Sequence, residues 1–239
     1  MPPQLSIEAK TKFRVPFGTV SITDEARKLI SQALDTKMVT RGKYVAEFEE
    51  KFAAIFGVKY GVAMSSGTDA DALACAVLYD YGAKRGDEII VPALTFVATG
   101  NAVLQAGLTP VFVDVERETL NIDCDKIEKV ITKKTRAIMP VHLMGKPAEM
   151  DKIRAIAKKH KLYIIEDAAE AHGAQYRGEK WVVWATWLAS AFTPRTLSRR
   201  LKAASRLPIM KRWPRRCGLC AITALKANLR SSALGFPRR

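Results

Sequence analysis

Residues 162–174 read Leu162-Tyr-Ile-Ile-Glu-Asp-Ala-Ala-Glu-Ala-His-Gly-Ala174, an apolar run that ends abruptly in two carboxylates. Residues 162–165 predict a fully buried strand, and in an open α/β sheet the residue just past a strand's carboxyl end faces the ligand crevice. Asp167 stands there, which makes it a candidate for ligand chemistry. The position alone also allows a carboxylate that caps the following turn or pairs with a nearby lysine.

Outward from this stretch the pattern alternates. Going back along the chain, residues 150–160 read as a helix, 137–141 as a strand, 127–131 as helical, 111–115 as a strand, 96–105 as a helix and 88–91 as a strand. Before them a short strand at 60–64 hands over at Ser65-Ser66-Gly67-Thr68-Asp69 to a helix running to about Tyr81. Strands separated by helical segments of this length imply right-handed crossovers and a mostly parallel sheet with helices on both faces, so the fold class is α/β. Nearer the amino terminus, Thr23-Asp24-Glu25 caps an amphipathic helix bearing Ala26, Leu29, Ile30 and Leu34. A second helix over 44–56 puts Val45, Phe48, Phe52 and Ile55 on one face and stops at Gly57.

At 239 residues the chain can bury the core of one large domain. Its net charge of +15 invites a nucleic-acid reading, but the charge is not spread evenly. Residues 1–180 hold 26 Lys+Arg against 24 Asp+Glu, a net of +2, whereas residues 181–239 hold 13 Lys+Arg and no acid. All four tryptophans, Trp181, Trp184, Trp187 and Trp213, also lie beyond residue 180. A solvated basic arm is poor in Trp and Leu, and a folded domain carries some acid, so this tail matches neither. Cys75, Cys124, Cys217 and Cys220 form no disulfide framework, and no apolar run is long enough to span a bilayer. The expectation is a cytoplasmic protein without a membrane segment.

Ser65-Ser66-Gly67-Thr68 lies where a strand meets a helix, so unpaired amides and the positive end of the helix dipole point into the crevice. Gly67 lets the backbone approach closely and the hydroxyls add donors, which suits a phosphate monoester; an ordinary Ser/Thr cap is the plainer alternative. The spacing is neither that of a P-loop nor that of a dinucleotide fingerprint. Phe96 follows the next strand, where it either covers a flat ring or packs in the core. His142 ends another strand and reads as a hydrogen-bonded structural residue. Glu170 and His172 extend from the same end as Asp167.

Four segments together, Ser65-Ser66-Gly67-Thr68-Asp69-Ala70, Val91-Pro92-Ala93-Leu94-Thr95-Phe96-Val97-Ala98-Thr99, Pro140-Val141-His142-Leu143-Met144-Gly145 and Glu166-Asp167-Ala168-Ala169-Glu170-Ala171-His172-Gly173-Ala174, resemble the DegT/DnrJ group of sugar aminotransferases over roughly residues 14–180. The resemblance implies a three-layer type I fold, pyridoxal 5′-phosphate or pyridoxamine 5′-phosphate as cofactor, and a nucleotide-linked keto-sugar with an amino donor as substrates. It also implies a homodimer with sites at the subunit interface. Carried over by residue, Gly67 and Thr68 hold the cofactor phosphate, Phe96 stacks on the pyridine ring and Asp167 pairs with its nitrogen, keeping it protonated so that the ring accepts electrons. Glu170 stands near the ring hydroxyl, where many relatives carry Gln.

The resemblance stops near residue 180. The group next shows Gly-Asp and then Ser-Phe-x-x-x-Lys, whose lysine forms the Schiff base. That pattern is absent: Lys202, Lys211 and Lys226 are in other settings, so no catalytic residue is identified. The missing motif, the lack of acids and the tryptophans together suggest a shifted reading frame. Taking the last base of each codon with the first two of the next turns Trp181/Val182 and Trp184/Ala185 into glycine, permits Asp at Ala185/Thr186, and permits Phe-Ser-Phe from Ala189 onward. At the lysine position, the Arg195/Thr196 junction gives a codon ending in AC, which cannot encode Lys and leaves His, Asn, Asp or Tyr; a His there resembles the sugar 3-dehydratase branch. The expected organisation is an N-terminal segment (1–35), an incomplete cofactor-binding large domain (36–180) without its small C-terminal domain, and an aberrant basic tail (181–239), with proteolytic trimming near Glu179. A nucleic-acid partner for the tail is the remote alternative, and Cys217 with Cys220 supply too few ligands for zinc.

Overall fold

The computed structural model describes residues 22–37, 40–56, 60–177, 179–180, 187–191 and 221–225. Helix α1 (Asp24–Asp35) starts where predicted, with Thr23 Oγ1 accepting from the Ala26 amide at 3.0 Å and two acids in its first turn. Of its apolar stripe only Ala26 is buried; Ile30 and Leu34 face outward. Helix α2 (Lys43–Phe56) carries a ladder of rings, Phe48 on Phe52 at 5.9 Å and Phe52 on Phe56 at 4.5 Å. Its expected stop, Gly57, lies outside the described residues.

The remaining elements follow the alternation: β1 (Tyr60–Met64), α3 (Gly67–Ala76), β2 (Glu88–Pro92), α4 (Val97–Gln105), β3 (Thr109–Val113), α5 (Cys124–Ile127), β4 (Thr135–Ile138), α6 (Met150–His160) and β5 (Tyr163–Asp167). A short pair, β6 (Gln175–Tyr176) and β7 (Glu179–Lys180), precedes β8 (Trp187–Ala191) and β9 (Ala221–Leu225). The main sheet has seven strands in the order β1-β9-β8-β5-β4-β2-β3. Neighbours from β3 to β8 are parallel, while β9 is antiparallel to both β8 and β1. Six strands therefore run one way and end on one edge of the sheet. Two strands of the seven come from beyond residue 180.

Alternation along each strand divides the core between the two faces. Ile89, Val91, Ala137, Met139 and Ile165 pack beneath Ala74 and Cys75 of α3, Leu78 of the 3-10 turn that follows it, and Val103 of α4. On the opposite face Ile90, Val113, Ile138 and Ile164 meet Ile122, Ile127, Met150, Ile153 and Ala157, from α5, α6 and the turn before α5. The result is the expected three-layer α/β sandwich. Among the described residues no helix is long and apolar enough to cross a membrane.

Several boundaries differ from the sequence reading: the strand expected over 137–141 lies at Thr135–Ile138, the helix expected to reach Tyr81 ends at Ala76 and continues as a 3-10 turn over Val77–Tyr81, and three others differ for a local reason. Strand β5 includes Glu166 and Asp167 because their backbones pair with Leu188 and Ala189 of β8 and the Asp167 amide bonds Pro140 O at 3.0 Å. Strand β3 ends at Val113 because the Asp114 carboxylate accepts from the Val115 amide at 2.9 Å and turns the chain. The helix expected over 127–131 begins earlier, at Cys124, because Asp123 caps it through the Asp125 amide at 3.0 Å; a 3-10 turn over Glu128–Val130 follows.

Candidate active site

The site lies along the edge where the parallel strands end, and the start of α3 forms one wall. Ser66 is the N-cap: its Oγ accepts from the Asp69 amide at 3.1 Å and donates to the Asp69 carboxylate at 2.8 Å, and Ser65 Oγ donates to the same carboxylate. Both serine hydroxyls are thus spent on Asp69, whose carboxyl they hold below its usual range. What remains for an anion are the amides of Gly67 and Thr68, which open the helix and have no carbonyl one turn back. The plainer cap is thus present, and Thr68 is the hydroxyl of this segment that Asp69 does not engage.

Phe96 is the N-cap of α4 and is 73% exposed, so it lies in no core. Its backbone is extended, and its carbonyl accepts from the Thr99 amide at 3.1 Å, which anchors the residue and leaves the ring clear. Leu94, Val97 and Met144 are also exposed apolar side chains in the segments that follow β2 and β4.

Asp167, the last residue of β5, is 5% exposed. Oδ2 accepts from Thr99 Oγ1 at 2.8 Å, and Thr99 in turn shares a 2.8 Å hydrogen bond with Thr95 Oγ1. Oδ1 accepts from the Ala169 amide at 3.2 Å. Burial pushes the Asp167 carboxyl up, while the Thr99 hydroxyl, the Ala169 amide and His142 act in the opposite sense. A buried carboxylate with lone pairs still available fits a cationic N–H far better than a neutral ligand. An exposed ring, helix-start amides and this carboxylate all follow strands that end on the same edge of the sheet.

His142 is fully buried. Its Nδ1 accepts from the Ala148 amide at 3.1 Å, so Nε2 carries the proton toward Glu166 Oε2 at 3.2 Å. This is the structural role expected for it. Glu170 accepts from the Met144 amide at 2.7 Å and so fixes the turn at Leu143–Gly145, in which Met144 has a positive φ of 51°. The motifs carried no signal for Thr99 beyond a threonine four residues after Thr95, a spacing that stacks the two hydroxyls on one face of a helix. The Cys217/Cys220 pair, the Arg195/Thr196 junction, the lysines beyond residue 180 and all the basic residues of the tail lie outside the described residues.

The model of the DegT/DnrJ/EryC1/StrS aminotransferase family matches residues 20–195. GDP-perosamine synthase of Caulobacter vibrioides is 43% identical over 168 residues, which make up 70% of this chain and 44% of that protein. An aminotransferase structure from Psychrobacter cryohalolentis superposes with a TM-score of 0.72 at 35% identity, covering 88% of this chain and 49% of the other. The E. coli GDP-4-keto-6-deoxy-D-mannose-3-dehydratase with bound hydrated PLP gives a TM-score of 0.72 at 29% identity, covering 88% and 51%. The chain thus spans about half the length of the relatives it matches.

Proposed function

Because this chain belongs to the DegT/DnrJ/EryC1/StrS aminotransferase family, we propose that its strand-end crevice is the cofactor half of a sugar-modifying active site. The cofactor is pyridoxal 5′-phosphate or pyridoxamine 5′-phosphate, and the substrates are a nucleotide-linked keto-sugar and an amino donor. The carrying observation is Asp167, buried and braced by Thr99 at 2.8 Å. When bound, the cofactor supplies an electron sink for the pair released as a bond to the substrate carbon breaks. Asp167 would accept from the protonated ring nitrogen, Phe96 would stack on the ring, and the Gly67 and Thr68 amides would receive the phosphate. Glu170, which fixes the Met144 turn, would stand near the ring hydroxyl.

No residue of this chain stands as the proton-shuttling lysine, so we infer that it binds the cofactor without a covalent bond and does not complete amino transfer. Residues 36–180 form the cofactor-binding domain, and 181–239 read as a frame-shifted tail. Exposed Leu94, Phe96, Val97 and Met144 suit coverage by a second subunit, as a homodimer requires. A second reading, a pyridoxamine-dependent sugar 3-dehydratase parent, is favoured by one observation: the Arg195/Thr196 junction excludes Lys and admits His.

Borohydride reduction of the full chain with pyridoxal 5′-phosphate, followed by peptide mass mapping, tests the lysine-free site. No lysine should be labelled stoichiometrically; full labelling of a single lysine would overturn this reading. The parent gene read in the shifted frame tests the dehydratase reading, since a His codon at that junction supports it and an Asn, Asp or Tyr codon contradicts it.

A further inference from the structure

Asp71 is a second carboxyl behind Asp167 that none of the roles above uses. It lies on the face of α3 that carries Ala70, Ala74 and Cys75 into the core. It is 3% exposed, and its Oδ1 has no hydrogen-bond partner. No salt bridge to it is found among the described residues. No donor among the described residues reaches Oδ1, so burial raises its proton affinity. Cys75, one turn further along α3, packs in one cluster with Ile165 of β5, and Asp167 lies on the same face of that strand two residues on, so the Asp167 charge adds to burial in raising both Asp71 and Cys75. Two carboxylates in one dry site do not both ionise. Asp167 has the Thr99 hydroxyl and the Ala169 amide to favour its charged form, so the proton belongs to Asp71. The other titratable groups acting on this pair, among the described residues, are His142 at the end of β4, Glu170 in the loop after β5 and Cys75 on α3.

We propose that Asp71 is the second proton site of this pocket, a neutral carboxylic acid that gives up its proton more readily when a cation sits on Asp167. The coupling follows from charge alone: a cation on Asp167 cancels the field that holds the Asp71 proton. The proposal rests on reading Asp167 as the partner of a ring nitrogen only for the identity of that cation. Asp71 is a positioning residue, since it sets the charge of the pocket and touches no reacting atom.

Infrared difference spectroscopy of the full chain tests this through the C=O stretch of a buried protonated carboxyl. With Asp167→Asn, the band should be present at neutral pH and should vanish when Asp71→Asn is added. A band that survives both changes, or none in Asp167→Asn, would overturn the proposal. In the wild-type chain, saturating pyridoxamine 5′-phosphate should shift the titration of the Asp71 band to lower pH; an unshifted band with the probe bound contradicts the coupling. If the probe does not bind at all, the ring-nitrogen reading fails, and the pair is then judged by Asp167→Asn alone. That change should itself lower the band's titration below its wild-type position, and an unchanged position would defeat the proposal.

Discussion

Thr99 is the residue through which Asp167 keeps an acceptor ready. Thr99→Val preserves shape but removes the donor, leaving a buried oxygen unsatisfied at a cost of about 1–3 kcal/mol. Loss of the donor also favours the neutral acid, so pyridoxamine 5′-phosphate affinity should fall by roughly tenfold for each ~1.4 kcal/mol, measured by fluorescence titration. Asp71 has a sign that can be worked out. Its folded proton affinity is raised above the ordinary carboxyl value of 3.8, so its contribution to stability is present below that pH and is lost as pH rises through the folded value. Asp71→Asn does not titrate, so its stability relative to wild type should grow with pH above 3.8, by at most about 1.4 kcal/mol per unit, in denaturant unfolding followed across pH. A flat difference would show that Asp71 ionises freely. Asp167 was legible because an apolar run ended on it; Thr99 and Asp71 were not, because a polar residue on a helix gives no sign of facing inward until the packing is known.

At the scale of elements, α2 and β1 are joined by Glu49. Its Oε1 accepts from the Ala63 amide at 3.0 Å, on the side of β1 away from β9, and Arg41 closes the other oxygen at 2.8 Å. The helix lies so close that a Cβ on Gly61 would meet Glu49 O at 2.7 Å. Gly61→Ala should therefore push α2 from the sheet and lower stability by about 1–3 kcal/mol, read as a lower urea midpoint; an unchanged midpoint would mean that the contact yields freely. The periodic elements were largely legible: α6 falls at Met150–His160 as its pattern predicts, and α1 opens at its Thr23 cap. Errors gathered where side chains redirect the backbone, as at Asp114 and Asp123, or where pairing extends a strand past its apolar run, as at Asp167.

For the whole molecule, order in the sheet is set by strands far apart in sequence. Among the described residues, strand β1 has β9 as its only strand neighbour in the main sheet, and β5 reaches β9 through β8. Removal of residues 181–239 should strip β1 of its partner, so the Tyr60–Met64 amides should lose hydrogen-exchange protection; retained protection would place β1 on other support. The fold class was visible in the alternation and the four motifs, whereas the antiparallel insertion of β9 was not, because nothing in a five-residue strand specifies a neighbour so distant. The most direct measurement is an equilibrium titration of the full chain with pyridoxamine 5′-phosphate beside Asp167→Asn. Saturable binding that weakens by at least about tenfold in the variant, roughly the loss of one charge-assisted hydrogen bond, is the predicted result; no binding, or equal affinity in the two proteins, would contradict a cofactor site built on Asp167.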